Sequence, residues 1–177
     1  MSASLGSGFV LFEGLAVVPL GLIMSPRHQI VEVSLTDAEQ FSVRVGEEQR
    51  SGELYYLGID PKAADHDCSA EVGLQNLISG WITELISAEE GRILYLPFDF
   101  SDEFTRWLAC ERTGSEVTCV FGMAEVEGWS FSPSDFGGLA KSLQGFQADV
   151  PTNPQTFYLP RMLSDLRQSH GRLQVGP

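Results

Sequence analysis

The chain has 177 residues and a formal net charge of −13, from 11 Lys+Arg against 24 Asp+Glu. That length holds one good hydrophobic core with little room for a second full domain, and 43% apolar with 10% aromatic residues marks a globular chain rather than a disordered one. So acidic a surface argues against binding phosphate backbones through basic side chains, and nucleic acid is not an expected partner.

The charge is uneven: residues 1–90 carry 14 acids and 4 bases, residues 91–177 carry 10 and 7. An acidic half can steer a basic protein partner, and the same charge also serves solubility.

In chain order, Met1–Gly8 is small and polar and is expected to fray. Phe9–Phe12 and Leu15–Met24 read as apolar strands, with Pro19 confining the second to an edge or a bulge. No basic residue precedes Arg27, so the apolar run lacks the charged start of a secretory signal, and it is too short to cross a bilayer. The expectation is a cytoplasmic protein with no membrane partner. Ser25–His28 is a turn. Ile30–Ser34 and Phe41–Val45 alternate apolar and polar residues, as half-exposed strands do. Glu47–Gly52 reads as a polar turn and Leu54–Ile59 as another strand, completing an antiparallel meander.

Asp60–Ser69 is an acidic loop leading to the clearest helix, Ala70–Ala88. Leu74, Leu77, Ile78, Trp81, Ile82 and Leu85 recur every three or four residues and form one apolar stripe, expected to pack on the meander. Ser69 suits the N-cap and Gly91 the stop after the end. Gly80 weakens the middle.

The apolar stretch from Arg92 reads as a buried strand that Pro97 must end. Phe104–Arg112 and Val117–Ala124 then flank Gly114-Ser115, a two-residue loop suited to a type II′ turn. That loop sets Arg112 opposite Val117, Cys110 opposite Cys119, Leu108 opposite Phe121 and Arg106 opposite Met123. Alternation then gathers Phe104, Leu108, Cys110, Cys119, Phe121 and Met123 on one face, with Trp107, Ala109 and Val120 on the other. Ser132-Pro133 resembles a helix start, cut short by Gly137-Gly138; Gln144–Gln155 reads as a loop; Pro160 opens a last helix that Gly171 ends, and residues 172–177 are expected to be mobile. The expected fold is a single α+β domain over residues 1–177: a mostly antiparallel sheet packed by the long amphipathic helix 70–88, with short C-terminal helices.

Few residues suggest chemistry. The cysteines at 68, 110 and 119 form no CxxC; the directly opposed Cys110 and Cys119 could bridge if oxidised, and in a reducing cytosol two small buried thiols are the expectation. Asp65-His66-Asp67-Cys68 is dense in metal-capable side chains, but no second pair lies at ligand spacing, so neither metal nor cofactor is expected. His28 and His170 lie in no recognisable nucleophile setting. There is no GxSxG, HExxH, GxxxxGK[ST] or GxGxxG.

Asp99, Asp102 and Glu103 cluster after Pro97, while Glu125 and Glu127 leave the hairpin beside Trp129. Carboxylate pairs of this kind could serve a hydrolase acting on glycosides. Acids beside aromatics also suit a surface that binds a basic protein. A solvated corner is the commoner explanation of such acids, since charged residues are mostly exposed. The stretch Leu94-Tyr-Leu-Pro-Phe-Asp-Phe-Ser-Asp102, running to Glu127-Gly-Trp-Ser-Phe131 in a small acidic chain, resembles the immunity proteins that accompany bacterial polymorphic toxins. The resemblance implies a non-enzymatic inhibitor of a cognate basic toxin or effector domain. The reading from the residues themselves puts partner contact at Asp99, Asp102, Glu103, Glu125, Glu127 and Trp129, with a carboxylate-pair hydrolase and an adaptor subunit of a larger bacterial assembly as rivals.

Overall fold

The computed structural model describes residues 30–58 and 69–174. The strands expected at Phe9–Phe12 and Leu15–Met24, the turn at Ser25–His28 and the Asp65–Cys68 group lie outside those residues. Within them the fold is α+β, built on antiparallel sheets.

Strands β1 (Val31–Leu35), β2 (Gln40–Val45) and β3 (Glu48–Glu53) form the antiparallel meander. Val31, Val33, Phe41, Val43 and Val45 fill its buried face, as the alternation predicts. Asp37 closes the first connection by accepting from Glu39 N and Gln40 N at 2.8 and 2.9 Å. The segment expected as a turn at Glu47–Gly52 is mostly strand. Gly46, with φ +63°, starts a tight turn that pairs Val45 with Glu48. The strand was hidden because its charged residues pair with one another: Arg50 Nη2 lies 2.9 Å from Glu48 and 3.1 Å from Asp149. The strand expected at Leu54–Ile59 is instead the short helix α1 (Tyr55–Gly58), where Leu54 O accepts from Leu57 N and Gly58 N.

Helix α2 (Ala70–Ile86) starts as expected, with Ser69 Oγ accepting from Val72 N at 3.4 Å. Leu74, Leu77, Ile78, Trp81 and Leu85 are buried along its stripe. Gly73 is required by close approach: a Cβ there would meet Leu57 O at 2.3 Å. Gly91, with φ +73°, lies beyond the Ser87 cap and turns the chain into the second sheet.

That sheet holds β4 (Ile93–Phe100), β5 (Thr105–Thr113) and β6 (Glu116–Ala124), with β7 (Gln147–Ala148) and β8 (Gln155–Tyr158) sharing the far side of β6. The β5–β6 register is the one the Gly-Ser loop dictates, including Cys110↔Cys119 and Leu108↔Phe121. Gly114 has φ +60° and, among the described residues, no non-glycine residue has a positive φ, Ser115 included, which matches a type II′ turn. Pro97 does not end β4: a register shift between Pro97 and Asp99 carries the strand past it to Phe100. β7 and the start of β8 replace part of the loop expected at Gln144–Gln155.

One face of this sheet (Leu94, Leu96, Phe98, Leu108, Cys110, Cys119, Phe121) joins the meander and helices in the main core; Phe104 and Met123, expected on that face, are only half-buried. Trp107, Ala124 and Leu143 form a second, smaller core on the other face, with Tyr95, Val126, Phe131, Leu139 and Phe146 packed against it.

Ser132 does not cap a helix. It accepts from Asp135 N at 3.0 Å in a turn, and α3 (Gly137–Ala140) begins after Phe136. The last helix, α4 (Leu159–Gln174), passes through Gly171 and is 16 residues long; Arg172 in its final turn pairs with Glu32 at 2.6 Å. It is α4 rather than α2 that packs on the meander, alongside β1. Asp165 accepts from Val31 N at 3.4 Å and Ser169 Oγ from Val33 N at 3.0 Å, satisfying amides that would otherwise leave the edge open. Helix α2 lies against α4 and against β4, where Trp81 Nε1 donates to Pro97 O at 3.0 Å.

Candidate functional site

The acidic corner and the aromatic exit, 25 residues apart in sequence at Asp102 and Glu127, are side by side in space. The turn between β4 and β5 is closed by Ser101: its N–H donates to Phe104 O at 3.0 Å, and its Oγ exchanges bonds with Phe104 O and N at 2.7 and 3.1 Å. Asp102 and Glu103 form the exposed tip of that turn.

The segment leaving β6 is laid against it. Gly128 N donates to Ser101 O at 2.7 Å, and buried Thr105 Oγ1 donates to Val126 O at 2.8 Å. A Cβ at Gly128 would meet Phe100 Cβ at 2.8 Å, so the approach requires glycine. Ser130 N and Oγ both bond Glu127 O, at 2.9 and 2.7 Å, which turns the chain outward through Gly128-Trp129. Glu125 and Glu127 are exposed, and Trp129 is 64% exposed. Behind them Phe131 anchors the segment, stacking on Trp107 with ring centroids 5.5 Å apart. The result is a fixed ridge carrying four exposed acids and one exposed indole.

Asp99 stands apart from the other five residues singled out. It is half-buried, it accepts from Glu53 N at 3.3 Å, and it is paired across the sheet with Arg106. Burial pushes its carboxyl above the ordinary carboxylate range, against the lowering by the Glu53 N–H and by Arg106. It ties β3 to β4 at the foot of the ridge.

The sequence reading missed two further members. Tyr56 O–H donates to Asp102 Oδ1, and Tyr55 packs edge-on against Tyr56 with centroids 5.3 Å apart. Tyr55 is 65% exposed. The hydrogen bond to Asp102, followed by burial and the charge of Asp102, pushes the Tyr56 hydroxyl up to about 12. A signal existed: consecutive tyrosines in the strand read there would face opposite sides, so one aromatic had to point outward.

Among the described residues no group of three or more His, Cys, Asp or Glu side chains could hold a metal ion. Among the same residues, no helix is long and apolar enough to cross a membrane. What the ridge offers is exposed aromatic surface edged with negative charge, which suits contact with a positively charged protein surface.

No protein-family model matches the chain, and no curated protein matches it. Among solved structures the chain is similar to a chain of the CdiA-CT/CdiI toxin and immunity complex from Enterobacter cloacae, at 10% identity and a TM-score of 0.46, over 83% of this chain and 100% of that one. So distant a likeness carries no argument about function.

Proposed function

We propose that this chain is a protein-binding inhibitor whose docking face is the ridge of Asp102, Glu103, Glu125, Glu127 and Trp129, flanked by Tyr55 and Tyr56 and footed by Asp99. Its partner is a basic protein, a bacterial toxin domain that it neutralises by direct contact. The observation that carries the reading is Trp129, 64% exposed on a backbone held in place by the Gly128–Ser101 hydrogen bond. With the backbone held in this way little main-chain freedom is lost on binding, and a large aromatic side chain is the kind of anchor that carries much of an interface's energy. The surrounding acids set orientation and encounter rate more than affinity.

The test is affinity capture from the native host with the wild-type chain and with Trp129→Ala, followed by association rates at two salt concentrations. The expected result is one basic partner, lost or weakened at least ~10-fold by Trp129→Ala, an effect of the size interface anchors show. Its association should slow as salt screens the acids. Recovery of no single basic partner, or association unchanged by Asp102→Lys with Glu127→Lys, would refute the ridge. Turnover of a glycoside, ester or phosphoester abolished by one carboxylate substitution would replace the inhibitor with the hydrolase.

A further inference from the structure

Cys110 and Cys119 face each other across the β5–β6 ladder as free, buried thiols, their Sγ atoms 3.5 Å apart. The backbone around them fixes which kind of cross-strand pair they make. Ser115 O accepts from Leu159 N at 2.8 Å and Phe121 O from Asp149 N at 2.9 Å, so odd-numbered residues of β6 turn their backbone groups away from β5. Cys119 shares that parity. Cys110–Cys119 is therefore a non-hydrogen-bonded pair, the narrow kind, with Cα atoms about 4.5 Å apart. That spacing lies inside the range a disulfide spans without backbone movement, roughly 4.4–6.8 Å. Moving the sulfurs from contact to bonding distance takes only side-chain rotation.

We propose that Cys110 and Cys119 are a latent cross-strand disulfide, an oxidisable dithiol that closes under peroxide and staples the β5–β6 hairpin. The pair is enclosed, with the two residues 2% and 1% exposed, so the oxidant it admits is small and uncharged, of the hydrogen peroxide class. One cysteine, as thiolate, attacks a peroxide oxygen; the O–O bond breaks, hydroxide leaves, and a sulfenic acid forms. The neighbouring sulfur attacks that sulfenic sulfur, the S–S bond forms, and the hydroxyl leaves as water. Two thiol protons and two electrons end in two molecules of water. Burial and the neighbouring thiol push the Cys110 thiol well up, which keeps the pair reduced until the hairpin breathes or peroxide accumulates.

The experiment uses the full chain carrying Cys68→Ser, which leaves these two as the only thiols. After peroxide treatment and alkylation of any remaining thiol, intact mass and a tryptic digest are read. Cleavage after Arg106, Arg112 and Lys141 puts the two cysteines on separate peptides, Trp107–Arg112 and Thr113–Lys141. The expected result is one unalkylated monomer, lighter by two hydrogen atoms, with these peptides joined until reductant is added. The oxidised chain should melt about 5–10 °C higher than the reduced one, reversibly, as a short closed loop predicts. Two alkylated cysteines after an exposure that oxidises the urea-unfolded chain would overturn the proposal. So would a sulfinic acid at Cys110 or a disulfide-linked dimer. An unchanged or lowered melting point in the cross-linked chain would overturn the staple.

Discussion

Trp81 and Trp107 lie on opposite faces of the five-stranded sheet, both without exposed surface, and the two faces hold them differently. On the Trp81 face, residues from the meander, α2 and α4 converge in one large core, and the indole N–H is satisfied by Pro97 O at 3.0 Å. On the Trp107 face the cover is the irregular segment between β6 and β7, supplying Phe131, Leu139, Leu143 and Phe146, and Trp107 Nε1 has no partner among the described residues. The difference shows what regular structure contributes. A helix stripe delivers its apolar side chains at fixed spacing and leaves its polar atoms satisfied, whereas a folded-over loop covers a surface one side chain at a time.

The comparison can be broken by truncation. Trp81→Ala should cost about 3–5 kcal/mol, since it removes a large, fully buried side chain from the main core and leaves a cavity there. Trp107→Ala should cost less by about 1 kcal/mol or more, because the looser cover can settle into the space and an unpaired donor is removed with the ring. Urea midpoints of the two variants decide it, and an equal or reversed order would mean that the irregular segment is as rigid as the helices.

Replacement by phenylalanine sharpens the contrast by keeping the ring and removing the N–H. Trp81→Phe leaves the buried Pro97 carbonyl without its donor and should cost about 1–3 kcal/mol. Trp107→Phe breaks no hydrogen bond and should fall below that. The carbonyl can be followed directly, as a shift of its amide stretch in the Trp81 variant alone.

The same contrast governs what was legible in the sequence. The Cys110–Cys119 register followed from Gly114-Ser115 because a two-residue loop leaves one way to align its strands. The α2 stripe followed from spacing. β3 was not legible, since Glu48 and Arg50 spend their charge on each other and on Asp149, a residue 99 positions from Arg50. Pro97 misled because a bulge absorbs the missing donor. At the candidate site, the acids and Trp129 could be chosen from composition alone. Their adjacency could not, because it depends on Gly128 N reaching Ser101 O. Tyr56 was missed because its hydrogen-bond partner, Asp102, is 46 residues away.

A smaller effect belongs to the half-buried carboxylate of Asp99. Asp99 has its pKa raised chiefly by burial, with the Glu53 N–H and Arg106 opposing. Because the folded value lies above the unfolded one, its contribution to stability is fully present below the ordinary carboxylate pKa of about 4 and is lost as pH rises through the raised value. Asp99→Asn should therefore flatten stability against pH across that window, with the variant gaining on the wild type toward neutral pH. Urea midpoints taken at several pH values give the difference. A variant that loses stability relative to wild type as pH rises would show that the Glu53 and Arg106 contacts outweigh burial.

The smallest effect belongs to the exposed counterpart, Tyr56 with Asp102, where stability at neutral pH should barely change. The hydrogen bond to Asp102 and the negative charge beside it hold the proton on Tyr56, so the contact persists below the ordinary tyrosine value of about 10. It is lost only as pH rises through about 12. Tyr56 should ionise above the ordinary tyrosine range. Phenolate absorbance followed with rising pH should lose its highest step in Tyr56→Phe. In Asp102→Asn the same step should move down toward the ordinary range, because the charge and the acceptor carboxylate go together while the ring stays. A highest step that survives Tyr56→Phe belongs to another tyrosine. A step that ignores Asp102→Asn would detach Tyr56 from the turn and leave the ridge with Trp129 and its acids alone.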